Sequence, residues 1–74
     1  MLLSAKSAKK ITKISKEINK FSFQIQKVAN LGFDQVVIGF SNGLDENDKM
    51  AVIHSLLMSG YKVENEFGDL RISW

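Results

Sequence analysis

Residues 4–31 read SAKSAKKITKISKEINKFSFQIQKVANL and make up more than a third of the chain. Its apolar residues recur at spacings of 3, 4, 3, 4 and 3, which places their side chains along one side of an α-helix. The residues of this stripe are Ile11, Ile14, Ile18, Phe21, Ile25 and Val28. Ser4 is a suitable N-cap, and Gly32 is a suitable C-terminal stop. The pattern predicts one long amphipathic helix over residues 4–31.

The length of this helix has a consequence for assembly. It would measure about 42 Å, whereas an ordinary strand spans about 20 Å. We therefore expect half of the helix to extend beyond its own sheet and to be covered by a second copy of the chain. The predicted homo-oligomer interface consists of Ile11, Ile14, Ile18, Phe21 and Ile25. A break between Asn19 and Ser22, which would fold the helix back on itself, is the alternative.

The residues that follow predict a strand and a second helix. Residues 35–40 (QVVIGF) are a short β-branched run bounded by turn residues, which is typical of a buried strand. Asp45 is a good N-cap for the second helix, and Gly60 ends it. The apolar stripe predicted for that helix consists of Met50, Ile53, Leu56 and Leu57.

The last residues predict a β-hairpin. Residues 61–67 mostly alternate between apolar and polar, and residues 70–74 return after a turn at Gly68-Asp69. This turn would set Phe67 opposite Leu70 and Glu66 opposite Arg71, the second pair being favourable in charge.

The predicted fold class is α+β: a long N-terminal helix followed by a β-α-β-β unit. The first two strands should be parallel and the last antiparallel, giving a small three-stranded mixed sheet with both helices on one face. A chain of 74 residues allows one domain, residues 1–74, with the helix at 4–31 and the β-α-β-β unit at 32–74.

The composition argues against several classes of protein. The chain has no cysteine and one histidine, so a disulfide framework or a cysteine or histidine zinc site is not expected. No apolar run approaches about 18 residues, so a membrane partner is not expected either. We expect a cytoplasmic protein without a metal or other cofactor.

Charge is divided unevenly along the chain. Residues 4–31 hold seven lysines and one acid, a formal charge of +6, whereas the residues from Gly32 onward hold seven acids and three bases, a formal charge of −4. The two parts together give the net charge of +2. The lysines share one side of the predicted helix and form a candidate face for phosphate or for an acidic partner: Lys6, Lys9, Lys10, Lys13, Lys16, Lys20 and Lys27. A solvated helix face is the simpler interpretation.

No catalytic constellation emerges from the sequence. His54 has no acid and nucleophile at an interpretable spacing, and it is expected to be a partly buried helix residue. The acids at the start of the second helix, Asp45, Glu46 and Asp48, fit capping better than metal binding. Residues 39–43 (GFSNG) lie where a phosphate loop would lie but lack its motif, so they indicate a connecting turn. The chain is not expected to be an enzyme.

Three aromatic residues are candidate partner contacts. Phe23 lies off the main stripe of the first helix, and Tyr61 and Trp74 lie where they could be partly exposed. Exposed aromatic side chains often anchor protein interfaces.

The C-terminal third resembles the ending of many small phage-encoded proteins. The residues that carry the resemblance are 56–63 (LLMSGYKV), which include a Gly-Tyr-x-Val step, and 70–74 (LRISW), which end in Ile-Ser-Trp. Such proteins commonly begin with a long polar helix and are mostly uncharacterised. The resemblance implies a small accessory protein in the bacterial host cytoplasm. Proteins of this kind often bind a host factor, including factors of host defence.

These observations favour a non-enzymatic interaction protein. It would act as a homo-oligomer and would bind and inhibit a bacterial host or defence protein. One alternative is a sequence-nonspecific nucleic-acid-binding protein that uses the lysine face. Another is a virion or scaffold component that assembles through the first helix.

Overall fold

The first helix, α1, runs without a break from Ala5 to Asn30 in the computed structural model, which describes residues 2–74. The Ser4 side chain caps it by accepting a hydrogen bond from the Ser7 N–H at 3.1 Å. Beyond the C-cap Leu31, Gly32 takes a φ of +91°, a conformation that favours glycine and turns the chain out of the helix. The predicted caps are confirmed, and the alternative of a break between Asn19 and Ser22 is wrong.

The second helix, α2, spans Glu46–Met58. Asp45 and Asp48 form a capping box: the Asp45 carboxylate accepts from the Asp48 N–H at 2.8 Å, and the Asp48 carboxylate accepts from the Asp45 N–H at 3.4 Å. These reciprocal bonds satisfy two backbone donors that the first turn of a helix otherwise leaves unpaired. The acids at this position therefore have the capping role that the sequence predicts.

The three strands form an antiparallel sheet. They are β1 (Gln35–Ile38), β2 (Lys62–Glu66) and β3 (Asp69–Ser73), in the spatial order β1-β3-β2. Both β1 and β2 pair with β3 in antiparallel fashion, so the prediction of a mixed sheet is wrong. The strands β1 and β2 do point in the same direction, but β3 lies between them and they never pair. This arrangement is a split β-α-β unit.

The predicted hairpin exists, but its register is shifted. Val63 pairs with Ile72 and Glu64 with Arg71, so the two-residue turn is Phe67-Gly68 rather than Gly68-Asp69. Both turn residues have positive φ, +54° and +87°, as a type I′ hairpin turn requires. Because the shift is two residues, the side chains that remain in the strands keep their predicted face. Phe67, predicted opposite Leu70, instead lies in the turn with its side chain fully exposed.

The Glu66–Arg71 pair survives this shift as a diagonal contact. The Arg71 guanidinium donates two hydrogen bonds to the Glu66 carboxylate, at 2.7 and 2.8 Å. Diagonal neighbours across a pair of strands lie within reach of long side chains. The predicted ion pair is confirmed although the two residues do not face each other directly.

One core joins the two helices to one face of the sheet. Phe21 and Ile25 enter it from α1 and Val52 and Leu56 from α2, and the sheet residues Ile38, Leu70 and Ile72 complete it. The α+β class with a long N-terminal helix is confirmed. Among residues 2–74, no helix is both long enough and apolar enough to cross a membrane.

The buried side of α2 differs from the predicted stripe. Asp48, Val52 and Leu56 are buried, whereas Met50 and Leu57 are exposed. The predicted stripe is therefore correct for Leu56 and for Ile53, which packs against the core, and wrong for Met50 and Leu57. It fails because α2 carries apolar residues on both sides, so the spacing fits two stripes equally well.

The predicted overhang of α1 is also shorter than expected. Ile14 and Ile18 pack against the core, because α2 and the segment before it continue alongside α1 beyond the end of the sheet. The lengths of the helix and the strands alone do not account for the packing of α2 against α1.

Candidate binding surfaces

The lysine row of α1 is the longest charged feature of the molecule. We define it as Lys6, Lys9, Lys10, Lys13, Lys16, Lys20 and Lys27. Six of the seven are exposed, and Lys20 is half-buried. At about 100° per residue the seven occupy roughly one third of the helix circumference. The predicted face therefore exists as a surface.

Three members of the row make contacts within the molecule. Lys13 donates to the Gly43 carbonyl at 2.9 Å, and the Lys10 and Lys13 ammonium groups lie 3.8 and 4.0 Å from the Asp48 carboxylate. Lys20 donates to the Gly39 carbonyl at 2.7 Å. Within residues 2–74 the other four form no salt bridge: Lys6, Lys9, Lys16 and Lys27.

Glu17 and Lys20 form a polar clasp that holds the β1–α2 segment against α1. The Glu17 carboxylate is buried and accepts from the Ser41 N–H at 2.7 Å and from Lys20 at 3.1 Å. Lys20 also donates to the Ser41 hydroxyl at 3.1 Å. Burial alone raises the pKa of Glu17, but the hydrogen bonds from Ser41 and Lys20 outweigh it and leave that pKa below its ordinary value. The clasp therefore contains a buried carboxylate that is ionised at neutral pH.

A shallow cleft lies between the first turns of α1 and the start of α2. It has a volume of about 390 Å³ and is lined by Lys6, Lys9, Lys10, Lys13, Asp45 and Asp48. The hydrogen bond from the Asp48 N–H, with smaller contributions from Lys10 and Lys13, lowers the pKa of Asp45. The four lysines of the cleft outnumber its two aspartates, so its lining keeps a formal charge of +2. Among residues 2–74 no group of three metal-ligating side chains occurs.

The outward side of α2 is apolar. Met50, Leu57 and Met58 are 59%, 52% and 75% exposed, and the exposed His54 lies among them along the helix. We call these four residues the α2 outer surface. The prediction that His54 is partly buried is wrong, because the core side of α2 passes through Val52 and Leu56 instead.

The structure divides the predicted oligomer interface. Phe21 and Ile25 are buried in the chain's own core, so they have to be removed from that interface. Ile14 and Ile18 are half-buried against the same core, and Ile11 is 50% exposed. Oligomerisation stays a prediction, and Ile11 is the residue of this set best placed to take part.

The three aromatic candidates also have different positions. Phe23 is exposed on α1, away from the core. Tyr61 is half-buried and packs edge-on against Trp74, with ring centroids 6.2 Å apart, and Trp74 keeps part of its surface exposed. Tyr61 and Trp74 line a shallow depression with Ser22 and Gln26, and Phe23 lines a neighbouring one with Gln26 and Lys27.

Sequence reasoning missed the α2 outer surface and the open edge of β1. The signal for the first was present, since Met50, Leu57 and Met58 exceed what one buried stripe of a 13-residue helix needs. The open edge of β1 had no local signal, because the position of a strand in a sheet depends on which distant strand pairs with it.

Comparison with known proteins gives no relative: no family model, no curated protein and no solved structure matches this chain.

Proposed function

We propose that the chain is a non-enzymatic interaction protein that binds another protein through the α2 outer surface. The observation that carries this proposal is the exposure of Met50, Leu57 and Met58 on one side of a helix whose other side fills the core. Contiguous exposed apolar surface in a small soluble domain is typical of a protein-binding site. Methionine adapts its flexible side chain to a partner's shape, which favours this use.

The resemblance of residues 56–63 and 70–74 to small phage proteins supports a class of partner. A phage accessory protein of this kind would bind and inhibit a bacterial host or defence protein in the host cytoplasm. The α2 outer surface provides exposed apolar side chains, including two methionines, of the kind that is enriched at the centre of protein interfaces.

Affinity capture from a bacterial lysate tests this proposal. The double variant Met50→Asp/Leu57→Asp places two charges on the α2 outer surface and leaves the core residues unchanged. We expect the wild-type chain to retain a stoichiometric protein partner. The double variant should capture at least about tenfold less of this partner, because burying a charge in an apolar interface has a large desolvation cost.

The matched control is Phe67→Asp, which adds a charge at an exposed aromatic residue in the β2–β3 turn. It should retain the partner as wild type does. Circular dichroism must show that all three chains melt cooperatively. Capture of the same partner at equal yield by wild type and the double variant would contradict the proposal, and so would capture of no partner.

Binding to a polyanion such as nucleic acid is a second candidate function. The observation that favours it is the set of four exposed lysines without salt bridges in residues 2–74: Lys6, Lys9, Lys16 and Lys27. The logarithm of the affinity for duplex DNA should then fall linearly with the logarithm of the salt concentration. Replacing these four lysines with glutamate should abolish the binding. Retention of Lys13 and Lys20 in that variant keeps their contacts to Gly43 and Gly39 intact.

A further inference from the structure

The chain from Phe33 to Ser41 runs back along α1. The Phe33 N–H donates to the Val28 carbonyl at 3.3 Å, near the end of the helix. Further back along α1, Lys20 donates to the Gly39 carbonyl at 2.7 Å, and Glu17 accepts from the Ser41 N–H at 2.7 Å. Since β1 lies within this segment, α1 covers β1 along its length and runs antiparallel to it.

One flank of α1 extends past the outer edge of β1. Measured around the helix, Phe21 and Ile25 lie on one side of Glu17 and enter the core. Lys16, Lys20 and Lys27 lie on the other side of Glu17. This flank of α1 must therefore project beyond the edge of β1 that faces away from β3.

That edge of β1 has no strand partner. In residues 2–74 the sheet order is β1-β3-β2, so alternate N–H and C=O groups of β1 point away from the sheet. The other edge strand, β2, carries Lys62, Glu64 and Glu66, the kind of charges that natural sheets use to block further pairing. The sequence of β1, Gln-Val-Val-Ile, contains no charge.

We propose that the open edge of β1 accepts an extended acidic segment of a partner protein as a fourth strand. Strand addition satisfies the unpaired backbone groups of β1. Side chains of an added strand alternate between two faces, so every second residue would lie under the α1 flank that carries Lys16 and Lys27. Acidic residues fit there, because these two lysines are exposed and form no salt bridge within residues 2–74.

The side chains that point away from α1 would lie on the open face of the sheet. They would lie beside Val37, which is 50% exposed on the open face of the sheet. A β-branched apolar residue fits next to Val37. The segment that this edge recognises therefore alternates acidic and β-branched residues. It binds a surface separate from the α2 outer surface, so either proposal can fail without the other.

A synthetic peptide tests the proposal. The probe is an N-acetylated, C-amidated peptide of alternating valine and glutamate, about ten residues long, which is enough to cover β1 and its flanks. We expect it to shift the amide NMR signals of Gln35–Ile38 and to slow hydrogen exchange there. A peptide of equal composition with its glutamates and valines in two blocks should bind at least about tenfold more weakly, because it cannot present acids on one face.

Two further comparisons separate strand addition from general attraction of charge. N-methylation of alternate peptide bonds removes the N–H donors and should abolish binding. The variant Lys16→Glu/Lys27→Glu should weaken binding at least about tenfold, whereas Lys6→Glu/Lys62→Glu, with the same change of charge away from the edge, should weaken it less than about twofold.

The proposal is overturned by any of three results. The first is no binding of the alternating peptide at about 1 mM, the weakest affinity expected of a real site. The second is equal binding of the block or N-methylated peptide, which would indicate unspecific attraction of a polyanion by the lysine row. The third is a set of shifted signals that excludes Gln35–Ile38.

Discussion

Phe67 is the one non-glycine residue in residues 2–74 with a positive φ, +54°. The left-handed region places its Cβ close to the backbone and costs about 1–2 kcal/mol. Its ring is fully exposed, so no burial offsets this cost. The residue that local chemistry prefers at the first position of this turn is asparagine, because its side chain tolerates the left-handed region.

We therefore expect Phe67→Asn to stabilise the fold by about 1 kcal/mol. Phe67→Ala is the control: it removes the same exposed ring but retains a Cβ with no compensating polar contact, so its effect should stay within about 0.5 kcal/mol. Urea unfolding followed by circular dichroism measures both. An equal gain from alanine would show that the exposed ring, rather than the backbone conformation, limits stability.

Glu17 makes stability depend on pH. The pKa of Glu17 in the folded state lies below the ordinary value of 4.5. The ionised carboxylate therefore stabilises the folded state relative to the unfolded chain. This contribution is present above pH 4.5 and is lost as the pH falls below 4.5 through the folded-state pKa. Acid should therefore weaken the clasp between α1 and the β1–α2 segment.

Glu17→Gln tests this contribution. The variant keeps an acceptor for the Ser41 N–H but loses the charge that faces Lys20, and we expect it to lose about 1–3 kcal/mol at pH 7. The difference from wild type should shrink below pH 4.5, because the wild-type carboxyl is then being protonated. Glu46→Gln, at a 90% exposed side chain, should cost no more than about 0.5 kcal/mol. A pH-independent difference for Glu17→Gln would contradict the assignment.

The sequence of α2 does not determine which side of this helix faces the core. Leu56 and Leu57 are neighbours of identical chemistry, yet Leu56 is buried and Leu57 is half exposed. We expect Leu56→Ala to cost about 2–5 kcal/mol through loss of core packing. Leu57→Ala should cost less than about 1 kcal/mol. Chemical denaturation of the two variants compares them directly, and equal losses would mean that α2 is rotated about its axis relative to the structure.

Local chemistry predicts the elements and their ends. Ser4 and Asp45 each cap a helix because a side-chain oxygen can reach a free N–H of the first turn, whatever the rest of the fold does. The apolar spacing of α1 allows one buried side, and Phe21 and Ile25 lie on it. These features depend on residues within a few positions of each other, and sequence reasoning finds them.

Features that depend on distant partners are not predictable in this way. The hairpin register rests on Phe67 accepting a positive φ, against its own preference, because the resulting pairing sets Val63 opposite Ile72 in the core. β3 lies between β1 and β2, and the sequences of the three strands allow other pairings equally well. The open edge of β1 depends on which pairing forms, so the sequence predicts the lysine row but not this edge.

The prediction of a homo-oligomer now rests on Ile11. Ile14 packs against the core, so a charge there would unfold the chain as well as separate copies of it. Ile11→Asp is the better variant, because its side chain is half exposed. We expect the wild-type chain to sediment as an oligomer at micromolar concentrations and Ile11→Asp to sediment as a monomer that still unfolds cooperatively, with a midpoint that no longer depends on protein concentration.

Thr12→Asp, a change at the adjacent exposed residue, serves as the control and should leave the oligomer intact. Sedimentation of the wild-type chain as a monomer would contradict the prediction. Equal dissociation by both variants would indicate a general effect of charge on α1 rather than a contact at Ile11.

The central strand of the sheet is also the last of the three along the chain. On a ribosome, β1 and β2 would emerge first and would have no strand to pair with until β3 followed them. In that interval α1 and α2 could form their helical turns, but Phe21 and Val52 would lack the sheet face that buries them. The nascent chain should therefore remain open to chaperones or proteases until β3 has left the ribosome and can pair with β1 and β2.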